Sequence, residues 1–205
     1  MNMEFDVVIV ANGEFPTHPV PLDILNSANH IVACDGAIMQ LSTLLMEGDR
    51  DIIVIGDGDS VPDMYRHLLI QVDEQEDNDL TKATRYCIEQ GWQRIAYIGC
   101  TGRREDHTLG NIALLMRYYQ SMQVEAMMFT DQGFFTPAKG DTSFTSHKGQ
   151  QVSIFNFGCS RLESTQLKWS SYAYQEWWQG TLNEALSSCF SLHGDSAYLV
   201  FQTYR

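Results

Sequence analysis

Short runs of aliphatic and β-branched residues alternate with segments of helical periodicity over about the first 130 residues. The runs predict strands at residues 7–10, 30–34, 52–55, 95–98 and 124–129. Two segments between them repeat apolar residues every three or four positions: Leu80, Ala83, Thr84, Cys87 and Ile88, and Leu109, Ile112, Ala113 and Met116. Strands that are each followed by a helix need crossover connections. The pattern therefore predicts an α/β domain with a doubly wound, mostly parallel sheet.

The pattern changes after Gly133, where short apolar runs are separated by Gly, Ser, Asn and Asp. Residues 151–157, 162–167 and 197–204 form such runs, and few helical patterns lie between them. This spacing predicts a smaller all-β sandwich or barrel. We place the boundary near residue 132, which gives domains at 1–132 and 133–205.

Charge and cysteine content narrow the class of protein. The 26 acidic and 13 basic residues give a net charge of −13, which argues against nucleic acid or an anionic membrane as partner. The N-terminus is polar and no apolar stretch approaches 18 residues, so we expect neither a signal peptide nor a membrane span. The cysteines are odd in number and mostly beside apolar residues: Cys34, Cys87, Cys100, Cys159 and Cys189. We expect reduced, buried thiols in a cytoplasmic protein.

A pair of carboxylates follows the third predicted strand directly. Asp57 and Asp59 are separated by one glycine at the strand's C-terminal end, where open parallel sheets bind their ligands. Two carboxylates held so close repel each other unless a cation lies between them. We therefore predict a divalent metal, Mg²⁺ carrying phosphate, although a solvated Asp-Gly turn has the same sequence.

Two further acidic segments follow strands or begin helices. Asp35 follows the second strand and is predicted either as a helix N-cap or as part of an acidic site. Residues 73–79 are crowded with acidic and amide groups, and the next helix begins near Asn78 or Asp79. Asp79 and Lys82 lie one turn apart on the face predicted to be wet. They are either a surface ion pair or ligands for metal and phosphate.

The segment 99–108 lies between a strand and a helix. Its glycines allow close approach to a ligand, the helix N-terminus offers free N–H groups, and Arg103 or Arg104 can grip phosphate bidentately. A purely structural pair between Arg104 and Asp106 is the alternative. His107 is the one histidine placed in such a loop. No Walker A sequence occurs.

Tryptophans cluster in the second predicted domain. Trp169, Trp177 and Trp178 fall within ten residues, just before Thr181 and Asn183. Indole rings there belong either to the core or to a site that stacks on a flat heteroaromatic or cationic ring.

In order and spacing, these segments resemble the motifs of the thiamin pyrophosphokinase family. The matching segments are Asp35 with its following glycine, residues 56–60, Gln75 with residues 79–82, and residues 101–112. Residues 167–169 and 180–183 resemble that family's thiamin-binding domain. The resemblance implies transfer of a diphosphoryl group from ATP to the hydroxyl of thiamin, giving thiamin diphosphate and AMP. It also implies a homodimer with the sites at the subunit interface.

The resemblance also implies roles for individual residues. Asp57, Asp59 and Asp79 would hold Mg²⁺, and with Asp35 nearby they form the catalytic set. The residues that would contact ATP are Gln75, Thr81, Lys82, Arg104, Asp106 and His107. The residues that would bind thiamin are Trp169, Trp178, Thr181 and Asn183.

The chain departs from the family pattern at four positions. Arg103 stands where the family often has glycine, Glu105 replaces an apolar residue, Leu182 replaces a small hydroxyl residue, and Gln166 stands where glycine is usual. Two other functions fit parts of the pattern. One is a Mg²⁺-dependent phosphohydrolase with an aspartyl nucleophile, and the other is a thiamin or nucleotide sensor without turnover.

Overall fold

A computed structural model describes residues 4–42 and 50–204. The chain divides into two compact units, Met1–Asp131 and Gln132–Arg205. The first unit mixes helices with parallel strands and the second contains antiparallel strands, so the predicted α/β class is confirmed.

A parallel sheet forms the centre of the first unit. Its strands are β1 (Val7–Val10), β2 (His30–Cys34), β3 (Asp51–Gly56), β4 (Leu69–Gln71), β5 (Arg94–Ile98) and β6 (Glu125–Phe129). Their order is β6-β5-β1-β2-β3-β4, and every adjacent pair is parallel. The order reverses between β1 and β5. At such a switch point the carboxyl ends of the strands leave a crevice for a ligand.

The strand predictions of the first unit are confirmed to within a residue or so at each end. Central strands such as β1, buried along its whole length, read as continuous apolar runs because helices or loops cover both faces. Strand β4 was not predicted. It has only three residues, Leu-Ile-Gln, and two of them are exposed, so it lacks the apolar run that marks its neighbours.

Three α-helices lie in the described part of the first unit: α1 (Pro19–Ser27), α2 (Asp79–Glu89) and α3 (Glu105–Ser121). Helix α2 begins where the sequence predicts, because the Asn78 side chain accepts a hydrogen bond from the Thr81 N–H at 3.0 Å. Two 3₁₀ helices, Asp35–Leu41 and Asp63–Leu68, follow β2 and precede β4.

The predicted apolar face of α3 is partly wrong. Met116 is buried, but Leu109 is 55% exposed and Ala113 is exposed, whereas Leu115 and Tyr118 are buried. The tyrosine determines which side of the helix faces inward. Its ring stacks on Tyr97 at 5.7 Å, and its hydroxyl lies 2.8 Å from Thr81 Oγ1.

An antiparallel sheet forms the second unit. Its strands are β7 (Gly133–Thr145), β8 (Gln151–Phe157), β9 (Leu162–Thr165), β10 (Asn183–Glu184) and β11 (Cys189–Thr203), with a 3₁₀ helix at Trp177–Gly180. The order is β10-β8-β11-β7, and β9 also pairs with β11. An isolated β-bridge between Leu167 and Ala185 joins the segment after β9 to the residue that follows β10. The Phe144 and Phe190 rings stack at 5.0 Å within the core that these strands enclose.

The sequence does not predict strand β7, because Pro137 and Gly140 interrupt its apolar pattern. Strand β11 begins at Cys189 rather than at residue 197, because its register shifts between His193 and Ala197 and the alternation of buried residues breaks there.

Four of the five cysteines are buried and unpaired, as predicted. The prediction is wrong for Cys189, which is exposed at the start of β11. Among the helices that the structure describes, none has the length and apolar character needed to cross a bilayer.

Candidate active site

A cavity of about 610 Å³ opens at the carboxyl ends of β1, β2 and β5. It lies at the switch point between β1 and β5, and the first turns of α2 and α3 complete its wall. The residues that line it include Asn12, Asp35, Ser60, Asn78, Asp79, Arg103, Arg104, Asp106, His107 and Asn111. Two of the acidic segments and the 99–108 loop, which are far apart in sequence, therefore meet in one cavity.

Two glycines let the loops after β1 and β5 lie against each other. The Gly13 N–H donates to the Gly99 carbonyl at 2.7 Å, and a Cβ at Gly13 would lie only 2.2 Å from that oxygen. Gly99 has φ +68°, and a Cβ there would lie 2.5 Å from the Ala11 carbonyl oxygen. Any side chain at either position would separate the two loops that form this wall.

Asp35 is the buried carboxylate of the cavity. Its Oδ2 accepts a hydrogen bond from the Ser60 N–H at 3.1 Å, while its Oδ1 is buried and has no hydrogen-bond partner. Its φ of 43° is unusual for a residue with a side chain. The N-cap alternative is not supported, because no side chain caps the 3₁₀ helix that begins here. A buried acceptor without a donor is costly, so this oxygen suits a bound cation or hydrogen-bond donor.

Asp79 lies at the first position of α2 with its carboxylate partly buried. Burial raises the pKa of Asp79, the Lys82 ammonium opposes that rise, and the charges of Asp35 and Asp57 add to it. Carboxylates at the ends of β2 and β3 and at the start of α2 therefore lie close enough to repel one another. We call Asp35 and Asp79, which line the cavity, together with the neighbouring Asp57, the acidic side of the cavity.

Asp59 is more exposed than Asp57. Neither of the two lines the cavity, and the Asp59 N–H donates to Asp57 Oδ1 at 3.1 Å. Within residues 4–42 and 50–204, no three His, Cys, Asp or Glu side chains are grouped closely enough to hold a metal ion by themselves.

The prediction that Lys82 lies on a wet face is wrong. Its side chain is only 3% exposed, and its Nζ donates to Asp79 Oδ1 at 3.3 Å. Long lysine stems bury readily when the ammonium has a partner. Neighbouring Thr81 is also buried, with its hydroxyl between Asn78 Oδ1 and the Tyr118 hydroxyl. Gln75 is exposed, and neither it, Thr81 nor Lys82 lines the cavity.

Two arginines, Arg103 and Arg104, form what we call the arginine rim of the cavity. Arg104 pairs with Asp106 through both Nε (3.1 Å) and Nη2 (2.6 Å), and this hydrogen bonding lowers the pKa of Asp106. The His107 N–H donates to the same carboxylate at 2.9 Å. The predicted Arg104–Asp106 pair thus exists, in an exposed position where ligands have access.

Sequence reasoning missed the ion pairs that anchor the segment before α2. Asp77 accepts from Arg85 Nη1 and from Arg117 Nη1, both at 3.0 Å, and Arg85 Nη2 also lies 2.9 Å from Glu74. These contacts fix residues 74–77 to both α2 and α3. The pair between Asp77 and Arg117 has no sequence signal, because 40 positions separate the two residues.

In the second unit, the residues that we predict to bind thiamin fall into two groups by their contacts. Trp169 is 54% exposed, with Lys168 Nζ 4.7 Å from its ring centroid. Asn183 is buried and its amide bonds the backbone of Trp169 in both directions, from Trp169 N at 3.2 Å and to Trp169 O at 2.8 Å. Asn183 therefore orients the segment that carries the tryptophan.

The exposed indole of Trp178 is held by the Glu176 carboxylate, and the Thr181 hydroxyl donates to the Trp178 carbonyl at 2.7 Å. Trp177 instead packs against Phe155 and Phe157. Gln166 (φ 61°) and Leu182 (φ 62°) have left-handed backbones. Glycine adopts this conformation without strain, which explains why the family usually has glycine at position 166.

The fold and the cavity are typical of one class, the α/β proteins that bind a phosphate-bearing ligand at a switch point of the sheet. Comparison with known proteins narrows this class. Residues 22–128 match the thiamin pyrophosphokinase catalytic domain and residues 133–201 match the thiamin pyrophosphokinase substrate-binding domain. The chain belongs to the thiamin pyrophosphokinase family. The predicted family and activity are thereby confirmed: the chain is an ATP-dependent thiamin diphosphokinase.

Solved structures share the fold. Thiamine pyrophosphokinase from Bacillus subtilis is 20% identical with a TM-score of 0.78, and the match covers 96% of this chain and 98% of that one. The Candida albicans enzyme is 15% identical with a TM-score of 0.79, covering 97% and 90%. The yeast enzyme is 14% identical with a TM-score of 0.78, covering 98% and 87%. A comparison with curated protein sequences gives no significant match.

Proposed function

We propose that the cavity of the first unit binds ATP with Mg²⁺ and that the second unit supplies the thiamin contacts. The observation that carries the proposal is the buried Oδ1 of Asp35, which lacks a donor in a cavity that also contains two arginines. An acidic pocket with a guanidinium rim suits a polyanion that arrives with its own cation.

The acidic side fits Mg²⁺. This ion prefers oxygen ligands, and in phosphate-transfer sites it is held by one or two carboxylates together with substrate phosphates. Asp35, Asp57 and Asp79 would provide those carboxylates, and Asp59 remains a candidate through its contact with Asp57. When bound, the ion neutralises charge on the triphosphate. The buried Lys82 ammonium would hold the Asp79 carboxylate in place through their ion pair.

The rim would bind the nucleotide phosphates. Arg104 has a planar fork suited to phosphate, and Asp106 fixes its orientation. His107 lines the cavity at the N-terminus of α3, where free N–H groups favour anions. Gln75 would reach the nucleotide from the segment anchored by Asp77, and Thr81 would act by holding the start of α2.

The proposed reaction forms a bond between the thiamin oxygen and the β-phosphorus and breaks the bond from that phosphorus to the oxygen that leaves with AMP. The chain's residues would position the triphosphate in line with the alcohol and exclude water. A carboxylate of the acidic side would accept the proton of the alcohol.

Thiamin binding would use the exposed indoles of Trp169 and Trp178, which present flat faces to an aromatic cation. Thr181 and Asn183 would hold the segments that carry these rings. Both side chains would also be candidates for a direct hydrogen bond to thiamin.

We also propose a cytoplasmic homodimer with the sites at the subunit interface and no nucleic-acid or membrane partner. Exposed apolar side chains on both units support pairing, among them Leu109 and Leu182. Sedimentation at several protein concentrations tests the dimer.

Mass detection of products after incubation with ATP, Mg²⁺ and thiamin tests the reaction. We expect thiamin diphosphate and AMP in equal amounts, and AMP only when thiamin is present. Release of inorganic phosphate without thiamin would instead support the phosphohydrolase. Binding of both ligands without any product would support the sensor.

A further inference from the structure

We infer that the Arg103 guanidinium is a second phosphate-binding group of the nucleotide site, beside Arg104. The inference rests on the proposed nucleotide site and adds to it a residue particular to this chain, since Arg103 stands where the family often has glycine.

The charge balance of the cavity singles out this side chain. Lys82 is paired with Asp79, and Arg104 is paired with Asp106. Arg103 lines the same cavity, yet no carboxylate of the described residues lies within ion-pair distance of its guanidinium. Unlike Lys82 and Arg104, Arg103 therefore has no carboxylate partner among the described residues to give up when a polyanion binds.

The guanidinium is nevertheless held in place by neutral acceptors. Its Nη1 donates to the Asn12 carbonyl oxygen at 3.0 Å and to Asn12 Oδ1 at 3.1 Å. Asn12 Oδ1 also accepts from Gln40 Nε2 at 3.0 Å, and the same Nε2 donates to the Gly13 carbonyl at 3.3 Å. Both contacts of Arg103 use one nitrogen. An arginine has five N–H donors, and those on Nε and Nη2 have no acceptor within the described chain.

The location suits a phosphate. Asn12 follows β1 and Arg103 precedes α3, so their contact spans the switch point of the sheet. A side chain that is oriented in advance loses little entropy when a ligand binds. A glycine here would leave this part of the wall without a charge.

Calorimetric titrations with tripolyphosphate, ATP and adenosine test the inference on wild type, Arg103→Gln and Arg103→Lys. Because hydrogen bonds to charged groups are among the stronger ones, we expect Arg103→Gln to weaken the binding of tripolyphosphate and of ATP by about 10- to 100-fold. Adenosine affinity should not change. Arg103→Lys keeps the charge without the fork and should give an intermediate loss. Arg161→Gln is the matched control, because Arg161 is an exposed arginine of the second unit.

Unchanged tripolyphosphate affinity in Arg103→Gln would overturn the inference, as would an equal loss for adenosine, which would indicate a structural role. If Arg103→Gln does not fold, an unchanged tripolyphosphate affinity in Arg103→Lys is the contradicting result. The proposed function fails separately. A wild-type enzyme that makes no thiamin diphosphate would refute that function even where tripolyphosphate binding depends on Arg103.

Discussion

The acidic side and the arginine rim face the same cavity but differ in burial. Asp35 is 9% exposed and Lys82, the partner of Asp79, has a side chain that is 3% exposed. On the rim, the side chains of Arg104 and Asp106 are 70% and 63% exposed. Buried charges are costly unless paired, whereas exposed ion pairs contribute little to stability. The acidic side would therefore contribute to both folding and function, whereas the rim would contribute mainly to binding of the proposed ligand.

The largest effect is expected at the buried pair. Asp79→Asn leaves the Lys82 ammonium without its partner, and we expect a loss of turnover together with about 1–2 kcal/mol of stability. The loss is smaller than for a fully buried pair, because Asp79 is partly exposed and its charge is repelled by Asp35 and Asp57. Urea unfolding measures the loss. The double variant Asp79→Asn/Lys82→Met should recover most of the stability but none of the activity. If Asp79→Asn is as stable as wild type, the pair has no structural role.

The substitution Asp57→Asn, also on the acidic side, tests function separately from folding. The side chain lies at a loop and packs little, so stability should change by less than about 0.5 kcal/mol. Turnover should fall by about 100-fold or more, because the substitution weakens a proposed metal ligand. Steady-state assays and thermal unfolding measure both. The exposed Asp63, which pairs with Arg66 outside the cavity, provides the control as Asp63→Asn. A variant of Asp57 that unfolds would indicate a structural role instead.

Asp77→Ala tests the anchoring of the segment before α2. The change removes acceptors from Arg85 and Arg117, so the segment that carries Gln75 should become mobile. We expect a several-fold rise in KM for ATP and a stability loss of about 1 kcal/mol from these partly exposed pairs. Kinetics at varied ATP measure the first effect. A fall in kcat at unchanged KM would argue that Asp77 acts on the chemical step.

The smallest effect concerns the thiols. Burial raises the pKa of both Cys87 and Cys100 to about 12, and burial also raises that of Cys34. Since the thiolate is the reactive form, these cysteines should resist alkylation at pH 8, whereas exposed Cys189 should react. Peptide mapping after brief iodoacetamide treatment measures each site. Modification of Cys100 as fast as Cys189 would show that the cavity wall opens readily.

Sequence patterns predicted the elements of this fold where burial is continuous. The runs at 7–10 and 30–34 coincide with β1 and β2, because strands buried on both faces must be apolar throughout. Strand β7 escaped prediction since Pro137 and Gly140 disguise its pattern. The parallel sheet also makes the meeting of Asp35 with the end of β3 predictable, because parallel strands carry their C-terminal loops to one edge.

Other parts of the site depend on tertiary packing. Lys82 is buried because of the residues that pack over α2, whereas helical periodicity alone predicts that it faces solvent. The contact of Arg103 with Asn12 joins residues 91 positions apart. The anchoring of Asp77 by Arg117 is likewise long-range. Such polar contacts have no periodic signal in sequence.

Binding of Mn²⁺ in the presence of ATP, followed by electron paramagnetic resonance, tests most directly whether the acidic side is the seat of a metal-bound nucleotide. Asp35→Asn is the sharpest comparison, because asparagine tolerates the left-handed backbone and can still accept from the Ser60 N–H. We predict that the variant binds the Mn²⁺–ATP complex at least about 10-fold more weakly than wild type. Equal affinity in the two proteins would contradict the account.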